Sequence, residues 1–82
     1  MGEWWSHMFA IAISYAEYEE KVKDVDTIVN NSVYVYSDID LDEVIIFQPS
    51  EKLLEWLKQN NVVFRLIDEK ELEEIITKII NI

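Results

Sequence analysis

The sequence predicts an α+β domain of ferredoxin-like topology, βαββαβ, with one further helix at its C-terminal end. Three observations predict it. Short apolar runs rich in β-branched and aromatic residues alternate with amphipathic helical segments in the order βαββαβα. The link between the second and third strands is too short for a parallel crossover and asks for a hairpin. Both faces of most strands carry apolar or aromatic residues, so the open face of such a sheet needs a cover, which the last helix or a second copy would supply. The alternative is a small, mostly parallel α/β sheet with helices on both faces.

Residues 1–8 differ from the rest. They hold the only Gly, the only His and the pair Trp4-Trp5, and Ser6-His7-Met8 is a common cloning remnant. They read as a tag or disordered arm ahead of a single domain over 9–82. A native arm whose two tryptophans pack on the domain or on a partner is the other reading.

Phe9–Tyr15 alternates bulky (Phe9, Ile11, Ile13, Tyr15) with small (Ala10, Ala12, Ser14), which is a strand whose small face lets a helix approach closely. From Ala16 to about Asn30, Tyr18, Val22, Val25 and Val29 recur at helical spacing with charges between them, giving one helix. The β-branched run Thr27-Ile28-Val29 weakens its end, and Asn30-Asn31 stops it. Val33–Tyr36 is a strand with Val33 and Val35 on one side and Tyr34 and Tyr36 on the other. Ser37–Glu43 is the hairpin connection.

Glu43 to Ile67 holds the clearest pattern in the chain. Val44–Phe47 reads as a buried strand, which Pro49 breaks. Ser50 is placed to cap a helix, its hydroxyl accepting from a free N–H of the first turn, and Glu51 complements the helix dipole. Leu53, Leu54 and Leu57 form the apolar face with Trp56 at its edge, and Asn60-Asn61 ends the helix, since Asn tolerates the left-handed conformation. Val62–Ile67 is the next strand. The two strands should run parallel through a right-handed crossover, with room for a third strand between them. Asp68-Glu69-Lys70-Glu71 fits a capping box, and Leu72, Ile75, Ile76, Ile79 and Ile80 make an apolar stripe. Full burial of five aliphatics contributes on the order of 10 kcal/mol before entropy is subtracted, so this helix must dock.

Composition limits function. The chain has 82 residues, a net charge of −10 and no cysteine, so disulfides and thiol chemistry are excluded. Half the residues are hydrophobic, too many for a disordered chain. No apolar run approaches the roughly 20 residues of a membrane span, and no basic segment precedes an apolar one as in a signal peptide. A cytoplasmic location is the resulting expectation. The seven basic residues are scattered, so phosphate backbones and anionic membranes would be repelled, and direct nucleic-acid binding is not expected. An acidic surface suits a basic protein partner, or can mimic nucleic acid. It also keeps a small apolar domain soluble. Abundant Ile, Asn, Lys, Tyr and Glu with scarce Gly point to an AT-rich microbial or viral source, or to a thermophile.

The concentrated chemical feature is Asp38, Asp40 and Asp42, with Glu43 beside them. Alternating carboxylates after a strand can converge to hold Mg²⁺ or Mn²⁺, which take hard oxygen ligands and activate water on phosphate esters. An EF-hand loop starting at Asp38 would need Gly at 43 and Glu at 49, where the chain has Glu43 and Pro49. Ser37-Asp38-Ile39-Asp40-Leu41 resembles a motif of the minimal nucleotidyltransferases over five residues; their upstream Gly-Ser loop is missing, and their activity is not carried over. The competing reading is a solvated acidic turn. Ser14, Ser32, Ser37 and Ser50 lack a histidine partner outside 1–8, and no Gly-rich phosphate loop exists. Arg65, the only arginine, either stacks on Tyr34 or Tyr36 to anchor an anion, or guards an edge strand. Tyr34 and Tyr36 are candidates for an interaction platform. Trp56 reads as core or dimer contact.

These residues point to a small acidic, non-enzymatic interaction or regulatory module, homodimeric and needing no cofactor. The alternative is a divalent-metal phosphate-ester hydrolase or nuclease using Asp38, Asp40 and Asp42. A third reading is a nucleic-acid mimic of viral or mobile-element type.

Overall fold

A computed structural model describes residues 9–81. The tag or arm expected over 1–8, with Trp4 and Trp5, lies outside the described residues. The elements are β1 (Ala10–Ser14), α1 (Tyr15–Lys21), α2 (Val25–Asn30), β2 (Tyr34–Asp38), β3 (Glu43–Phe47), α3 (Glu51–Gln59), β4 (Arg65–Leu66) and α4 (Glu69–Ile80). The protein is α+β. Its four strands form an open sheet in the order β2-β3-β1-β4, and every adjacent pair is antiparallel. The mostly parallel alternative is therefore overturned. Strands β3 and β4 do run the same way, as their connecting helix requires, but β1 lies between them and opposes both.

The two faces of β1 divide the core. Its bulky side chains, Ile11 and Ile13, pack with Val44 and Ile46 of β3 against Val22, Ile28, Leu53, Leu57 and Val62. Its small ones, Ala10 and Ala12, join Ile45, Phe47 and Ile67 beneath Leu72, Ile75 and Ile76 of α4. Alanine leaves room for the helix backbone, and α4 covers the face that would otherwise lie open. Ile79 packs at the edge of this layer, whereas Ile80, expected in the stripe, is exposed. Among the described residues no helix is long and apolar enough to cross a membrane.

Three segments depart from the sequence reading. The single helix expected over Ala16–Asn30 is two. Val22 is extended at the end of α1, and Asp24 starts α2 by accepting from Thr27 N–H at 3.4 Å and Thr27 Oγ1 at 2.8 Å. Local capping by Asp outcompetes continuation through β-branched residues. The break rotates Ile28 into the core and leaves Val25 and Val29 exposed. Asn31 stops α2 without the left-handed turn; its Nδ2 donates to Thr27 O at 2.8 Å. Asn61, at φ 57°, does adopt it after α3.

The strand expected over Val62–Ile67 is reduced to Arg65–Leu66. Extending the β1–β4 register by two residues would set Val63 opposite Ser14. Ser14 instead turns the chain as the N-cap of α1, accepting from Glu17 N–H at 3.2 Å. The N–H of Val63 then donates to Glu17 Oε1 at 3.0 Å, a side chain standing in for the lost ladder bond. At the other end of the sheet, β2 extends through Asp38, so the hairpin loop is only residues 39–42. Asp42 closes it at φ 59°, a conformation Asp tolerates.

Both helix caps read from the sequence are present. Ser50 Oγ accepts from Leu53 N–H at 3.1 Å, and Asp68 Oδ1 accepts from Glu71 N–H at 2.8 Å. The carboxylate of Glu71 goes elsewhere, to Arg65.

Candidate functional site

The three aspartates are not gathered at one point. Asp38 is the last residue of β2, and its pairing with Glu43 turns its side chain toward the α4 side of the sheet. It is 1 % exposed. One carboxylate oxygen accepts from Leu41 N–H at 3.1 Å, fixing the hairpin loop, and the other accepts from Lys78 Nζ at 3.1 Å. Asp40 stands in solvent with its carboxylate 3.9 Å from the same ammonium, and Asp42 is exposed at the loop's end. Among the described residues no group of three or more Asp, Glu, His or Cys side chains is arranged to hold a metal ion. Lys78 occupies the place a cation would take beside Asp38.

Arg65 lies on the edge strand β4. It cannot stack on Tyr34 or Tyr36, because β1 and β3 separate β4 from β2. Its guanidinium forks between two carboxylates instead. Nε and Nη2 donate to Glu43 at 3.0 and 2.7 Å, and Nη1 and Nη2 donate to Glu71 at 2.8 and 2.6 Å. The planar donor array suits this double grip, which ties α4 to the sheet near its N-terminus as Lys78 does near its C-terminus. Where β1 and β4 part, a cavity of ≈ 150 Å³ opens between Ser14, Glu17, Glu43, Phe64 and Arg65. Its charged walls are already paired with one another or with Lys21 and Val63.

These bonds set the titration of the groups that make them. The Val63 N–H, followed by Lys21, holds the Glu17 carboxyl below its ordinary 4.5. The Arg65 guanidinium does the same for Glu71. The Asp38 carboxylate pushes the Lys78 ammonium up from its ordinary 10.5. A depressed carboxyl binds its proton more weakly in the folded state. The stability it supplies is present above pH 4.5 and is lost as the pH falls through the folded value. A raised ammonium supplies stability that is present below 10.5 and lost as the pH rises through its folded value. Urea midpoints should therefore fall at both extremes. Glu17→Gln and Glu71→Gln should each flatten the acid limb and leave the alkaline limb unchanged. An acid limb identical in both variants would mean that these contacts are absent in solution.

Tyr34 and Tyr36 sit on β2, the other edge of the sheet. Their pairing with Phe47 and Ile45 places them on the α4 side. Tyr36 packs against the core beneath α4, and Tyr34, half exposed, tilts at 42° against Phe47 with ring centroids 5.9 Å apart. Trp56 is remote from a platform of this kind in role: half-buried on α3, it packs against the core of Ile11, Val44 and Leu53.

The backbone of β2 completes the site. Gln48 N–H donates to Phe9 O at 2.6 Å and Tyr15 N–H to Asp42 O at 3.1 Å, so odd-numbered positions of β1 exchange bonds with even-numbered positions of β3. Glu43, Ile45 and Phe47 then turn their backbone groups to β2, where they meet Asp38, Tyr36 and Tyr34. The N–H and C=O groups of Val35 and Ser37 are left facing outward. Sequence reasoning names Tyr34 and Tyr36 as candidates but misses this edge, because the outward parity follows from the register. It also misses the pairing of Lys78 with Asp38 and of Arg65 with Glu43, partners 40 and 22 residues apart in the chain, and the turn of the Glu71 carboxylate to Arg65.

No protein-family model matches the chain, and comparison with curated proteins and with solved structures returns no match.

Proposed function

We propose that the chain is a non-enzymatic interaction module that engages a basic protein partner through exposed carboxylates. The observation that carries this reading is the distribution of its charge. Lys21, Arg65 and Lys78 are taken up by Glu17, Glu43, Glu71, Asp38 and Asp40. Glu19, Glu20, Asp24 and Asp26 on the α1–α2 side, and Glu69, Glu73 and Glu74 on α4, are exposed and have no ion pair among the described residues. Acidic groups left unneutralised on both layers steer a cationic partner and repel phosphate backbones. The topology we propose is ferredoxin-like, split by the break between α1 and α2 and closed by α4. It is supported by the strand order, the antiparallel pairing and the insertion of β1 between β3 and β4.

The test is an amide NMR titration with a lysine- and arginine-rich peptide, run beside titrations with Mg²⁺ and Mn²⁺. Saturable shifts confined to one acidic layer, weakened by salt and indifferent to chelator, support the module. Diffuse, unsaturable shifts reject it. Saturable metal-dependent changes confined to residues 37–44 would instead favour the metal-dependent phosphate-ester enzyme.

A further inference from the structure

The two edges of the sheet are built differently. Strand β4 has two residues, and Arg65 projects from it into a double ion pair. Short length and a charged side chain are the ordinary protections of an edge. Strand β2 has five residues, Tyr34–Asp38, with no Pro, Lys or Arg, and its one charge, Asp38, is buried against Lys78. Its neighbours are apolar and exposed: Val33 at 66 % just before it and Ile39 at 84 % just after it. Helix α2, which packs beside β2, adds Val25 and Val29, exposed one turn apart.

We propose that β2 pairs with β2 of a second copy, antiparallel, joining the two sheets into one of eight strands. The pairing follows from which backbone groups are free. Val35 and Ser37 point outward, so a two-fold axis through Tyr36 sets Val35 against Ser37 of the second copy, and the reverse, with Tyr36 beside its own counterpart. The same register brings Val33 alongside the second copy's Ile39, matching the two most exposed apolar side chains at this edge. Antiparallel packing also sets the acidic loop holding Asp40 and Asp42 beside the neutral stretch Asn30-Asn31-Ser32, so the loops of the two copies stay apart. A strand ladder alone falls short of the roughly 1,000 Å² that a stable interface buries, and the exposed Val33, Ile39, Val25 and Val29 are the apolar side chains near this edge that would add to it. Each copy carries a net charge of −10, so salt strengthens the pair by screening the repulsion between the two copies. This dimer does not depend on the acidic-partner reading and can stand or fall without it.

The test is sedimentation of the full chain from micromolar to millimolar protein at low and high salt, with amide hydrogen exchange at both ends. The expected result is a mass that doubles with concentration, earlier at high salt. Exchange at Val35 and Ser37 slows by at least about tenfold in the concentrated sample. Ser37→Pro removes an outward N–H without touching the β2–β3 ladder and should leave a folded monomer. If that variant loses its circular dichroism signal, Ser37→Lys, the ordinary edge guard, decides. A monomer throughout the range overturns the proposal, as does a dimer that both variants leave intact. So does protection of Val35 and Ser37 by a basic extended peptide in a chain that stays monomeric.

Discussion

Ile75→Ala is expected to lower the unfolding free energy by about 3–4 kcal/mol. Ile75 is 1 % exposed and lies at the centre of the layer that α4 makes with Ala10, Ala12, Ile45 and Phe47. Its neighbours Ile45, Phe47, Leu72 and Ile76 are themselves buried in this layer, and a close-packed interior relaxes only partly around a vacated side chain, so much of the cavity persists. A chain of this length has about 4–12 kcal/mol of stability in all. The variant therefore loses a large share of it, and its melting temperature should drop by roughly 15–25 °C. Ile75→Val should lose only about 1 kcal/mol. Urea unfolding followed by circular dichroism measures both. A loss below about 1 kcal/mol for the alanine variant would show that α4 is not seated on this face.

Asp38→Ala is the second large effect, with an expected loss of about 2–4 kcal/mol. Three things go at once: the acceptor for the Leu41 N–H, the partner of Lys78, and the packed volume of a side chain enclosed between β2 and α4. Asp38→Asn keeps an oxygen for Leu41 and nearly the same shape, and its loss should be about half as large or less. The two variants separate the loop bond from the charge pair. Lys78→Met should resemble Asp38→Asn in weakening the alkaline limb of the pH profile, because neither variant keeps an ammonium raised by Asp38, while the half-buried Tyr18 phenol, also raised, keeps its share of that limb. Equal losses in Asp38→Ala and Asp38→Asn would mean that the charge pair, and not the loop bond, fixes this corner.

The elements legible in the sequence are those whose pattern is local. Alternation marks β1, the apolar run marks β3, and the stripes of Leu53–Leu57 and Leu72–Ile79 mark α3 and α4, caps included. The small face of β1 also anticipates the close approach of α4. What escapes local reading is decided by competition or by distance. The apolar spacing from Tyr18 to Val29 runs on unbroken, yet the cap at Asp24 divides it. Val62–Ile67 has every property of a strand, yet Ser14, far away in the chain, turns aside and leaves Val63 to a carboxylate. At the site, the aspartates are visible as a cluster, but the role of Asp38 depends on Lys78, forty residues on. Arg65 reads correctly as an edge residue and wrongly as a partner of the tyrosines, because strand order is not a local property.

The position of β1 has a consequence for how the chain acquires its shape during synthesis. It is the first of the four strands to leave the ribosome, yet it occupies an interior place, bonded on one side to β3 and on the other to β4. Among the described residues its alanine face is covered by Ile67 and α4, which emerge after it and after β3. A nascent chain that ends before Arg65 therefore holds its central strand half paired and half wet. Contacts spanning most of the chain must close before any layer is complete, which makes folding a late, concerted event. Until then Ala10–Ser14 is an apolar ribbon in search of a neighbour, and the interval between β3 and β4 is when a chaperone, or a mispaired strand, would find it.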